Sequence, residues 1–146
     1  MFDKVTSKYV LKEIFGNIKN KRKLNIIKYN KRIQSKLGIN KTDFKIYITL
    51  KEFNNKYNID IDDIDITELN LSKENIGNKG LNDLAKIKFK GLNKLDLSYN
   101  QISYIYVLDQ FNFKELKKLD LSKNIIREIT ILGIANLENL NILDLS

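Results

Sequence analysis

The chain has 146 residues and a formal net charge of +8, and it contains no histidine, cysteine, proline or tryptophan. Without imidazole or thiol it lacks a histidine general base, a thiolate nucleophile and the usual zinc ligands, so neither an enzyme nor a metal or other cofactor is expected. No apolar run reaches the roughly 18 residues of a membrane-spanning helix, no basic-then-apolar leader opens the chain, and the lack of cysteine suits a reducing compartment; the expectation is an intracellular, cytoplasmic protein without a transmembrane segment.

The charge is unevenly spread. Residues 1–58 carry 15 Lys or Arg against 4 Asp or Glu, whereas residues 59–146 carry 11 against 14. A compositional boundary near Asn58 therefore divides a basic N-terminal region, 1–58, from the remainder, 59–146.

Three helices are predicted in the basic region. The first follows Thr6-Ser7, either of which can cap it, and gathers Val10, Leu11, Ile14, Phe15 and Ile18 on one face. The second runs from about Arg22 to Leu37, with Ile26, Tyr29, Ile33 and Leu37 at helical spacing and Gly38 at its C-terminal cap. The third starts near Thr42-Asp43 and lines up Ile46, Leu50, Phe53 and Tyr57, although Lys45-Ile-Tyr-Ile-Thr49 also alternates as a strand would. Lys19-Asn-Lys-Arg-Lys23 and Lys28-Tyr-Asn-Lys-Arg32 form a basic cluster with one tyrosine. Contact with nucleic acid or an anionic membrane surface is the functional alternative there. A solvated lysine-rich helix face explains the cluster more simply, because no aromatic platform accompanies it.

The segment Tyr9-Val-Leu-Lys-Glu-Ile-Phe-Gly-Asn-Ile18, followed by Leu24-Asn-Ile-Ile-Lys-Tyr-Asn-Lys-Arg-Ile33, resembles a degenerate F-box over residues 6–37. It departs from that family in lacking the early proline and the Cys or Trp common in the second helix. The resemblance implies that Leu11, Ile14, Phe15, Leu24 and Ile27 dock the adaptor subunit of a cullin ubiquitin ligase, which would make the chain a substrate adaptor. The alternative is that these helices only cap one end of a repeat array downstream.

The linker Asn58-Ile-Asp-Ile-Asp-Asp-Ile-Asp-Ile66 is crowded with carboxylates at Asp60, Asp62, Asp63 and Asp65, between which Ile59, Ile61, Ile64 and Ile66 supply apolar points. Four carboxylates so close invite calcium, but the alternate-oxygen series is broken and the required glycine is missing. A charged edge strand is the expectation for this segment.

Beyond it a phrase recurs. Leu92-Asn-Lys-Leu-Asp-Leu-Ser-Tyr-Asn100 returns 24 residues later as Leu116-Lys-Lys-Leu-Asp-Leu-Ser-Lys-Asn124, and again as Leu140-Asn-Ile-Leu-Asp-Leu-Ser146. The apolar positions between the phrases return too: Ile102, Ile105, Leu108, Phe111 and Phe113 become Ile126, Ile129, Leu132, Ala135 and Leu137. A weaker copy, Ile66-Thr-Glu-Leu-Asn-Leu-Ser-Lys-Glu-Asn-Ile76, lies 26 residues upstream, with Glu74 where the others have asparagine. In Leu-Asp-Leu-Ser the alternation is that of a strand with one buried face. The spacing after each asparagine fits a helical or extended return, and the asparagine itself can satisfy backbone groups where the chain leaves the strand.

The pattern Leu-x-x-Leu-x-Leu-x-x-Asn at this period resembles the leucine-rich repeat family, and the return segment Gly77–Ile87 is similar to the helical repeats of its ribonuclease-inhibitor subclass. The resemblance implies an α/β fold: a short solenoid with parallel strands on its concave face, a helical or irregular convex side and an α-helical N-terminal cap. Because the last copy stops at Ser146 in mid-phrase, the repeats are expected to be truncated at the C-terminus. The function implied is a scaffold that binds a protein partner through the concave face. Stacked strands would set Glu68, Lys94, Lys118 and Ile142 in one row, Asn70, Asp96, Asp120 and Asp144 in the next, then the serines, then Lys73, Tyr99 and Lys123. The Asp and Ser rows repeat unchanged and belong to the scaffold. Specificity is expected where copies differ, at Lys94, Tyr99, Lys118 and Lys123, with Tyr99 as the anchor.

Overall fold

The computed structural model describes residues 30–37, 41–111, 113–133 and 137–146. The expected first helix, the F-box-like residues Leu11, Ile14, Phe15, Leu24 and Ile27, and most of the basic cluster lie outside the described residues.

Chain order is α1 (Lys31–Leu37), α2 (Lys41–Tyr57), β1 (Glu68–Asn70), α3 (Gly77–Leu84), β2 (Lys94–Asp96), a 3-10 helix (Tyr106–Gln110), β3 (Lys118–Asp120), a second 3-10 helix (Thr130–Gly133) and β4 (Ile142–Asp144). The protein is a mixed α/β fold around one four-stranded parallel sheet in the order β1-β2-β3-β4. Among the described residues no helix is long and apolar enough to cross a membrane.

Two expectations need correction. A continuous helix over 22–37 does not form: Asn30 stands outside α1 and its side-chain oxygen accepts the Ile33 N–H at 3.0 Å, capping a helix that begins at Lys31. An asparagine satisfies orphan N–H groups better at a cap than it tolerates a helix interior. Nor do residues 59–66 form an edge strand. There the side chains take the backbone groups a ladder would need: Asn54 bonds both the N–H and the carbonyl of Ile61, and the Asp63 carboxylate accepts the N–H groups of Ile64 and Asp65.

The alternative strand over Lys45–Thr49 is absent, and α2 spans it. This helix ends where Asn58 turns left-handed (φ +54°) and the Ile59 N–H reaches back to the Asn54 carbonyl at 3.0 Å, a Schellman closure. It is pinned to α3 by one carboxylate. Asp83 accepts hydrogen bonds from Lys56, from the Tyr57 hydroxyl at 2.8 Å and from Lys86 at 2.7 Å. Partial burial pushes the Asp83 carboxyl up, but the three donors overcome it and hold the group well below the usual carboxylate range.

A single apolar core runs from Leu50 and Phe53 of α2, through Ile61 and Ile64 of the linker, to Ile131. The strand pairs Leu69/Leu71, Leu95/Leu97 and Leu119/Leu121 all point into it. So do Ile102, Ile105, Leu108, Phe111 and Phe113 of the first return. The second return is less closely packed: Ile126, Leu132 and Leu137 are half-buried and Ile129 is exposed, while Ile131, at the position of the buried Val107, enters the core.

Candidate functional site: the outward face of the sheet

Each strand contributes only three residues to the ladder, so the turn at its end fixes the face. In β2 the Asp96 carboxylate accepts the Ser98 N–H at 2.9 Å and the Ser98 hydroxyl at 2.7 Å. Asp120 treats Ser122 alike, at 3.0 and 2.6 Å, and Asp144 accepts the Ser146 N–H at 3.0 Å. The same bond, reinforced by the ammonium groups of Lys118 and Lys123, holds the Asp144 carboxyl below its ordinary value. Asn70 makes the corresponding bond to Ser72 at 2.8 Å. These side chains close a turn at the end of every strand, and that internal duty accounts for their repetition.

Behind the turn lies the asparagine corner. The Asn100 amide nitrogen donates to the carbonyls of Leu71 (2.7 Å), Leu97 (3.0 Å) and Ser98 (3.1 Å), and its oxygen accepts the Ile76 N–H at 3.2 Å. Asn124 repeats the arrangement one strand on, donating to Leu97, Leu121 and Ser122 and accepting from Asn100 and Ile102. Each carboxamide thus closes its own corner and reaches back to the one before. Glu74 stands at the equivalent point of the first copy and is exposed to solvent. Its corner is completed from outside by Asn100.

This scaffold leaves two rows of side chains outward. The first is Glu68, Lys94, Lys118 and Ile142, set side by side by the strand register. Lys94 donates to Glu68 at 2.7 Å. Lys118, next in the row, makes no ion pair among the described residues, and a shallow groove of about 280 Å³ runs between it, Lys94, Asp96 and Asp120. The second row is Lys73, Tyr99 and Lys123. Their N–H groups donate in turn to the carbonyls of Ser98, Ser122 and Ser146 at 3.0, 3.0 and 2.6 Å, which extends the ladder past the turn. All three are left-handed, at φ +64°, +56° and +53°. Tyr99 is 50% exposed, and the Lys73 ammonium lies 5.1 Å from its ring centroid.

The four residues singled out from sequence, Lys94, Tyr99, Lys118 and Lys123, therefore share this face, though Lys94 is already paired. Sequence reasoning missed a second aromatic feature. Tyr104 and Tyr106 stack with centroids 6.1 Å apart and are both about half exposed, on the return beyond the corner. The signal was present: Asn78 and Glu128 occupy the positions of Tyr104 in neighbouring copies, and Gly80 and Thr130 those of Tyr106. The repeat-variable positions extend past the strand face. A larger cleft of about 370 Å³ opens between α2 and the linker near Asn54, Asn58 and Asp60. Its central polar group, Asn54, is committed to the backbone of Ile61. Among the described residues no group of carboxylates could hold a metal ion.

No family model matches the chain, and no curated protein matches it in sequence.

Proposed function

We propose that the chain is a non-enzymatic, intracellular protein-binding module, a short leucine-rich repeat solenoid that engages its partner through the outward face of the parallel sheet. The observation that carries this reading is the division of labour on that face. The residues that repeat, aspartate, serine and asparagine, are occupied in closing turns and corners. The residues that vary, Lys118, Lys123 and Tyr99, stand outward and exposed, the two lysines touching the sheet only through the charge they lend to Asp144. A face whose variable side chains are exposed and whose invariant ones hold it rigid is suited to recognition by complementarity.

The test is site-specific photo-crosslinking in cells. A crosslinking residue at Lys118 should capture a discrete protein partner, and one at the exposed Lys79 on α3 should not. Equal capture from both positions would sink the assignment to this face.

A further inference from the structure

The row formed by Lys73, Tyr99 and Lys123 carries a chemical signature of its own. A left-handed backbone suits glycine or asparagine and is unfavourable for lysine and above all for a bulky aromatic residue. The turn imposes that conformation in three successive copies, and at each the chain places a long side chain there nonetheless. None of the three side chains enters the core: Lys123 only lends its charge to Asp144, and Lys73 only lies over the Tyr99 ring. Tyr99 is half exposed, and neither Lys73 nor Lys123 makes an ion pair among the described residues.

We propose that this row receives an extended acidic segment of a protein partner, with two carboxylates held by Lys73 and Lys123 and an apolar or aromatic side chain laid on Tyr99. The proposal rests on the strand face being the binding surface and names the chemistry of what binds there. Adjacent strands lie about 4.8 Å apart, so the backbones of Lys73 and Lys123 sit about 10 Å apart on either side of Tyr99, close to the span of three residues of extended chain, and their long side chains can adjust to it. The lysine already over the tyrosine ring pre-orients both groups. A nucleic-acid strand matches less well, because the aspartate row of Asp96, Asp120 and Asp144 runs alongside and would repel closely spaced phosphates. A peptide with two carboxylates set opposite the lysines brings fewer charges beside that row and incurs less of the repulsion.

The experiment is fluorescence anisotropy on the full chain with three probes. They are a dye-labelled peptide in which a phenylalanine sits between two glutamates three residues apart, its glutamine counterpart, and a short oligothymidylate. The glutamate peptide is expected to bind, the glutamine peptide to bind at least roughly tenfold more weakly, and the double variant Lys73→Ala/Lys123→Ala to lose the same roughly tenfold. Tyr99→Gly should also weaken binding while leaving thermal stability unchanged or raised, because glycine relaxes the left-handed turn. Equal binding of the two peptides, preference for oligothymidylate, or unaltered binding by the lysine variant would each overturn the proposal. A chain that crosslinks a partner through Lys118 yet ignores the glutamate peptide retains the strand face and loses the acidic ligand. A chain that does neither loses both.

Discussion

The corner at Asn100 and the corner at Glu74 turn the chain in the same direction with different residues. At Asn100 a fully buried carboxamide bonds its own strand and the one before; at Glu74 an exposed carboxylate does neither. The first corner is nevertheless complete, because Asn100 supplies the Leu71 carbonyl and the Ile76 N–H from the next copy. The asparagine at each corner serves its predecessor as much as itself. The copy with no predecessor can dispense with it.

The most severe test of this comparison is Asn100→Ala. It strands the buried carbonyl of Leu71 and the buried N–H of Ile76, while the Leu97 carbonyl keeps Asn124 as a donor, and should cost about 3 kcal/mol or more in urea unfolding. Asn124→Ala opens a corner with one more accepted N–H but only part-buried, and should cost less, about 2 kcal/mol. A reversed order would show that burial does not set the cost of an open corner.

Core depth gives the next contrast. Leu97→Ala should destabilise by about 3 kcal/mol, whereas Leu145→Ala, at the same point of the outermost strand, should cost under about 1 kcal/mol. Leu97 is fully buried and Leu145 is 41% exposed, with a neighbouring strand on one side only.

The Asp83 junction adds a pH dependence. Its carboxyl is depressed in the folded state, so the stabilisation is present above the usual carboxylate range and fades as pH falls through and below it. Asp83→Asn should cost about 1.5 kcal/mol at neutral pH and flatten the acid limb of a stability-versus-pH profile. A variant with an unchanged acid limb would assign that limb to other carboxylates.

The smallest effect is the most pointed. Glu74→Asn restores the repeat consensus and should change stability by less than about 0.5 kcal/mol, since no earlier corner awaits the carboxamide. A large gain, read by the same urea titration, would mean that the corner residue acts mainly within its own copy.

The sheet was legible in the sequence because its determinants recur at fixed intervals. Leucine pairs two apart marked strands, and identical offsets marked their register. The outward rows came from that register alone. What sequence concealed were bonds between dissimilar residues far apart in the chain. Nothing in the spacing of Asp83 announces that Lys56 and Tyr57 converge on it. The linker misled for a related reason, since its alternating isoleucines look like a strand until Asn54 and Asp63 claim their backbone groups. The stacked Tyr104 and Tyr106 escaped because the variable positions of the strand face do not reach the return on which the pair sits.

The copies also differ in length, and this has a geometric consequence. The register steps by 26 residues from β1 to β2 but by 24 from β2 to β3 and from β3 to β4. The longer unit returns through the eight-residue α-helix α3, the shorter ones through 3-10 helices of five and four residues. An α-helix with its side chains is about 10 Å across, twice the strand spacing of about 4.8 Å, so it acts as a wedge that splays the back of the stack and bows the front. The slimmer returns bow it less. The front of the sheet is therefore expected to be more bowed beside β1 than towards β4, so that its two ends differ in shape as well as in sequence.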